Sequence, residues 1–171
     1  PPFLMIRRPP RYTHTQSGRQ RQMCLRDSYF IAYKNTQLKE PMKDNLARKK
    51  KFMKAAIKGY NEAAAYTVSE VTTQATFHIG ELYTDFGQAL MSSERPRNLS
   101  GEELEQYEIL LEEQAYPFEE KAIEVHETNA QRVTGGIYDT WVRKSMARLA
   151  ELIPARYAKD ERGENFVAIL Q

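Results

Sequence analysis

The chain has 171 residues, of which 25 are basic and 23 acidic, so its formal net charge is +2. No apolar run approaches the roughly 20 residues that a membrane-spanning helix needs. Cys24 is the single cysteine, which excludes an intramolecular disulfide and a multi-thiolate metal site.

The first 28 residues resemble translated technical DNA. Residues 5–11 (MIRRPPR) resemble the translation of a flow-cell primer for short-read sequencing, and residues 19–27 (RQRQMCLRD) resemble that of a transposase end. We therefore expect 1–28 to be a non-native, disordered segment without bearing on the fold. It holds six basic residues and one acidic, so the remainder carries 19 basic and 22 acidic residues, a net charge of −3. The basic pI of the whole chain is therefore due to segment 1–28. It gives no reason to expect a nucleic-acid or membrane partner.

The first credible elements are helices. Residues 29–39 show weak periodicity, which suggests the end of an element whose earlier part is missing from this chain. Pro41 suits the first turn of a helix, and an apolar pattern runs from Met42 to Ala65 with a basic polar face. A second stripe, with Ser69 as a candidate cap, runs from Val71 to Leu90. The pattern also allows these two helices to form one long helix.

The strongest local signal precedes the third helix. Ser100 is placed as its N-cap, and Glu103, three residues later, is the reciprocal partner of a capping box. The helical stripe continues to Val125. Pro117 lies within it and is expected either to kink this helix or to start a new one.

A last helix is predicted from Ile137 to Leu152, after Gly135-Gly136, with Pro154 closing it. Strand and hairpin signals are scarce, and the helices are joined by short links. The sequence therefore predicts one all-α domain of antiparallel helix pairs over 29–171. Because residues 165–171 stop inside an apolar stretch, we expect a fragment truncated at one or both ends.

Residues 77–83 (FHIGELY), followed by Ala89-Leu90, resemble the first helix of a tetratricopeptide repeat (TPR). In that motif a small residue, here Gly80, lets neighbouring helices approach, and an aromatic residue, here Tyr83, packs beside it. Residues 93–104, 112–123 and 141–157 resemble segments of large bacterial TPR proteins of the cell envelope. No clean 34-residue period can be laid on the chain.

The resemblance implies a fragment of a right-handed helical solenoid that is not an enzyme. Its functional residues would be packing residues, namely Gly80, Tyr83, Ala89, Ala122 and Trp141. Such a scaffold binds other proteins or peptides and neighbouring repeats of its parent chain, without cofactor, metal or nucleic acid. The resemblance also favours a periplasmic or cell-envelope location, although a cytoplasmic one stays open.

A ferritin-like metal-binding enzyme is the first alternative. His78 and Glu81 lie one helical turn apart, and His126 lies between Glu124 and Glu127. Di-iron bundles use the order Glu-x-x-His, which is reversed at His78, and no His-Glu-x-x-His occurs. We assign no metal ligand. Ten acidic residues between 102 and 127 stand against one base, and we interpret them as helix-capping and solvated side chains.

The second alternative is nucleic-acid or anionic-surface binding through the basic helix 34–58. This stretch holds nine cations and two acids, a local charge of +7. The preferred interpretation is a polar helix face that pairs with the acidic helix of the same chain or with the next repeat. The aromatic residues at helical spacing, among them Tyr138 and Trp141, are predicted to lie in the core.

Overall fold

The structure is a computed structural model, and it describes residues 28–65, 68–96 and 98–158. Every regular element within these ranges is a helix, and no β-strand occurs in them. The all-α prediction is therefore confirmed. The predicted non-native segment 1–28 lies outside the described residues apart from Ser28, as does the apolar stretch 165–171.

The described part of helix α1 covers residues 28–35. It is followed by α2 (Met42–Ala64), α3 (Ser69–Met91), α4 (Gly101–Ala130), a 3₁₀-helix (Gln131–Gly135), α5 (Thr140–Leu152) and α6 (Pro154–Tyr157).

Helix ends follow the local sequence, with a few corrections. Val68 occupies the cap position of α3, so Ser69 is its first helical residue and not its cap. Helix α4 runs unbroken through Pro117. The last predicted helix begins at Thr140, and Pro154 starts the short α6 because proline is favoured in a first helical turn.

Helix α3 lies at the centre and packs against α2, α4 and α5. It runs antiparallel to α4, since Phe86 contacts Phe118 with ring centroids 4.5 Å apart, while Thr73 at the other end contacts Asn129. Helix α5 follows α4 in the antiparallel sense and therefore lies parallel to α3. The long helices α2 to α5 thus alternate in direction along the chain.

The core is formed mainly by residues of α2 and α3, with α4 joining from Ala115 onward. Leu82 and Phe86 of α3 are fully buried at its centre. Tyr138, predicted to lie in the core, is 63% exposed. It precedes α5 in a non-helical link, so the helical spacing that suggested burial does not apply to it.

Helix α1 packs onto this core. Tyr33 is fully buried, and its hydroxyl donates to the carbonyl of Leu82 at 3.3 Å. The buried Lys49 of α2 donates to the carbonyls of Tyr33 and Thr36, at 3.1 and 3.0 Å, near the end of α1. A cation at this position is favourable because the last carbonyls of a helix carry a partial negative charge.

Candidate functional site

Helices α3 and α4 approach each other closely at Gly80 of α3. A Cβ atom added there would lie 2.5 Å from Nε2 and 2.6 Å from Cε1 of His126 in α4. Real Cβ atoms do not tolerate such contacts, so the fully buried imidazole occupies the space that a side chain would need. The lack of a side chain at Gly80 therefore sets the distance between α3 and α4.

His126 belongs to a buried polar network that joins three helices. The network consists of Thr73, His126, Asn129 and Ser145, all fully buried. Asn129 Nδ2 donates to the carbonyl of Thr73 at 3.1 Å and to Ser145 Oγ at 2.9 Å. His126 Nδ1 lies 3.3 Å from the same Ser145 Oγ. Because buried polar groups are costly when unpaired, this network favours one register of α3, α4 and α5.

One end of the network is Asp139, the N-cap of α5. Its Oδ1 accepts the backbone N–H groups of Trp141 and Val142, both at 2.9 Å, and its Oδ2 accepts the hydroxyl of Thr73 at 2.5 Å. Burial by itself would raise the pKa of Asp139, but these three donors outweigh it and lower the pKa. One carboxylate thus starts α5 and ties it to α3.

The other end of the network is a charge cluster. Glu81 accepts two hydrogen bonds from Arg148, at 2.7 and 3.3 Å, and Glu81 Oε1 lies 3.6 Å from His126 Nε2. That distance is too long for a hydrogen bond. Burial would raise the pKa of Glu81, but His126 and Arg148 hold it at about 2.

Ser145, His126 and Glu81 follow one another in the order of a nucleophile, a base and an orienting carboxylate. However, Ser145 and His126 have no exposed surface, so no substrate reaches them in this conformation. No group of three or more His, Cys, Asp or Glu side chains suited to a metal exists in the described ranges. We interpret the cluster as a structural connection between α3, α4 and α5.

The other sequence-predicted packing residues lie on the same helices. Ala122 of α4 is fully buried, and Tyr83 and Ala89 of α3 are half-buried against the core. Trp141 of α5 is half-buried against Phe77, with ring centroids 5.5 Å apart. These residues share helix interfaces and do not converge on one cavity.

His78 lies apart from His126 and contributes to a separate aromatic cluster. Its ring stacks on Tyr60 of α2 at 5.3 Å and contacts Trp141 of α5 at 5.2 Å. Lys144 lies over the opposite part of this cluster, 4.3 Å from the Trp141 ring centroid. His78 therefore links α2 to α5 across α3.

The cap of α4 has the geometry of a capping box. Ser100 precedes the helix, and Glu103 Oε2 accepts its backbone N–H and its hydroxyl, each at 2.8 Å. These two bonds lower the pKa of Glu103.

The first half of α4 extends beyond the core. None of residues 101–114 is buried, whereas buried positions recur from Ala115 onward. Ile109 and Leu110 are more than half exposed, at 56% and 55%, and Tyr116 is 60% exposed. Large apolar side chains close together on a projecting helix are typical of protein interaction surfaces.

Helix α2 carries exposed cations that are not paired with α4. Five of them are fully on the surface, namely Lys43, Arg48, Lys51, Lys54 and Lys58. No ion pair joins α2 to α4 within the described residues, because α3 lies between the two helices. The expected pairing of the basic and acidic helices within one chain is therefore wrong.

The chain matches no protein-family model, no curated protein and no solved structure. The resemblance to TPR proteins therefore remains an expectation from the sequence segments 77–90, 93–104, 112–123 and 141–157. None of the helices in the described ranges is long and apolar enough to span a membrane.

Proposed function

We propose that the chain is a non-catalytic, TPR-like helical scaffold that binds other proteins. The observation that carries the proposal is the projecting half of α4, where Ile109, Leu110 and Tyr116 are each more than half exposed. Binding of a partner over exposed apolar side chains is favourable, because it removes their apolar surface from water.

Two further features support the repeat-like part of the proposal. The first feature is that the helices α2 to α5 alternate in direction. The second is that Gly80 permits a close crossing of α3 and α4, which is the role of the small residue in the TPR motif. An association with the bacterial cell envelope is part of the same proposal, and it derives from the sequence resemblance alone.

A selection from a library of displayed helical peptides tests protein binding directly. The full chain is the target, and recovered peptides are then measured against the double variant Ile109→Ser/Tyr116→Ser. We expect peptides whose binding this variant abolishes. The matched control is Val68→Ser/Tyr138→Ser, which removes two other exposed apolar side chains and should leave binding intact. The proposal would be refuted if no recovered peptide bound the control variant more tightly than Ile109→Ser/Tyr116→Ser.

A further inference from the structure

The outward face of α4 has a seven-residue repeat that is separate from its core-facing stripe. Ile109, Tyr116 and Ile123 follow one another at intervals of seven residues. Ile109 and Tyr116 are exposed, and Ile123 is half-buried. The residues that face the core, such as Ala115 and Ala122, are displaced from this row by one position. Seven residues are close to two helical turns, so the three side chains form one row on the surface.

Glutamates flank this row on both sides. Four residues before each apolar position stand Glu105, Glu112 and Glu119, and four residues after each stand Glu113, Glu120 and Glu127. Residues four apart are neighbours on a helix surface, so each apolar side chain lies between two carboxylates. Flanking charges of this kind select the partner in paired helices.

Most of these carboxylates make no ion pair within the part of the chain that the structure describes. Glu127 accepts Arg156 at 2.7 Å and Tyr157 at 2.9 Å. By contrast, Glu105, Glu112, Glu113 and Glu119 make no ion pair with any described residue. Between Tyr116 and Ile123 the row borders a shallow depression of about 360 Å³ with acidic walls.

We propose that the row Ile109–Tyr116–Ile123 docks one amphipathic helix of another polypeptide, whose apolar residues recur every seven positions and are flanked by lysine or arginine. This inference rests on the proposed protein-binding function and specifies the partner. The apolar row supplies the contact area, and the flanking glutamates supply the selectivity.

Two other occupants fit the face less well. Pairing α4 with the α4 of a second copy would bring two glutamate-flanked rows together, which like-charge repulsion opposes. The α2 helix of a second copy offers cations, but no large apolar side chain of α2 is exposed to cover Ile109 and Tyr116. A separate helix that has both features is the better complement.

Two synthetic peptides of 21 residues test the proposal against the full chain. They share one heptad row of leucines, and the flanking positions are lysine in one peptide and glutamate in the other. Calorimetric titration should show the lysine peptide binding at least about tenfold more tightly. Its affinity should fall with added salt, because solvent-exposed charges are screened.

The charge-reversed variant Glu112→Lys/Glu119→Lys should largely remove this preference, because the six flanking carboxylates become four carboxylates and two cations and the charge beside the row falls from −6 to −2. The control Glu62→Lys/Glu70→Lys changes the net charge equally on α2 and α3 and should retain the preference for the lysine peptide. All four positions are exposed, so circular dichroism should show unchanged folding.

Three results would overturn the proposal. If both peptides bind equally and depend on Ile109 and Tyr116, the face binds proteins without charge selectivity, and the proposed function survives. If the lysine peptide still binds the Ile109→Ser/Tyr116→Ser variant, attraction is merely electrostatic. If sedimentation shows a dimer that this variant dissociates, the occupant is a second copy.

Discussion

Gly80 and His126 occupy complementary positions, since the imidazole ring fills the volume in which a Cβ atom of residue 80 would lie. The ring is held from its other side by Ser145 Oγ at 3.3 Å. It therefore cannot withdraw without disturbing the network that includes Asn129. A side chain at position 80 must displace the helix, the ring or both.

Replacing Gly80 by alanine should destabilise the fold, although alanine ordinarily favours a helix interior. The added methyl group would lie 2.5 Å from His126 Nε2. We expect this overpacking to lower the free energy of unfolding, measured with urea, by about 1–3 kcal/mol. Gly87 is the matched control, because a Cβ there would meet its nearest atom at 3.7 Å. Gly87→Ala should stabilise by about 0.5–1 kcal/mol.

A double-mutant cycle connects the effect to the histidine. In a His126→Ala background the clash is absent, so Gly80→Ala should become neutral or stabilising. An equal cost of Gly80→Ala in both backgrounds would show that the imidazole does not determine the packing at Gly80.

Asp139 should contribute more to stability than an exposed cap. Asp139→Ala removes the acceptor for two N–H groups of α5 and for the Thr73 hydroxyl, and we expect a loss of about 2–3 kcal/mol. Ser100→Ala at the exposed start of α4 should cost about 1 kcal/mol. Chemical denaturation of both variants gives the comparison. Equal losses would mean that the bond to Thr73 adds nothing.

Side chains of the outward row should be nearly neutral for folding. Ile109→Ser and Tyr116→Ser remove groups that are more than half exposed, so each should change the free energy of unfolding by less than about 0.5 kcal/mol. Leu82→Ala, at a fully buried position, should cost about 2–5 kcal/mol. A large loss from either serine variant would place that side chain in the core.

Features that depend on residues close in sequence were predictable. Ser100 and Glu103 are three residues apart, and the stripes of α2 and α3 repeat within single helices, so spacing alone indicated them. The aspartate directly before Thr140 was also a readable N-cap signal. The apolar spacing extends back to Ile137 and therefore places the predicted start of the helix three residues too early.

The buried network could not be derived in the same way. Asn129 and Thr73 are 56 residues apart in the chain, and only the packing of α3 against α4 brings them together. His126 shows the same difficulty, since its sequence neighbours Glu124 and Glu127 leave a metal ligand, a packed histidine and a surface histidine open. Its contacts with Gly80 and Ser145 come from other helices, and they determine its environment.

Acid should weaken the link between α3 and α5 at Glu81. The folded-state pKa of about 2 lies below the usual value of 4.5, so the carboxylate stabilises the fold fully above pH 4.5. This contribution is lost as the pH falls towards 2. Because Glu81 is partly solvated, we expect Glu81→Gln to cost roughly 1–3 kcal/mol at neutral pH. The difference from the unaltered protein should shrink towards zero near pH 2.

Unfolding curves measured from pH 7 to pH 2 for both proteins give this difference directly. Glu151→Gln is the control, because Glu151 contacts Arg148 at 2.5 Å from a side chain that is 64% exposed. Exposed ion pairs contribute little, so this variant should differ by less than about 0.5 kcal/mol across the range. Parallel curves for Glu81→Gln and the unaltered protein would mean that Glu81 has no special stabilising interaction with His126 and Arg148.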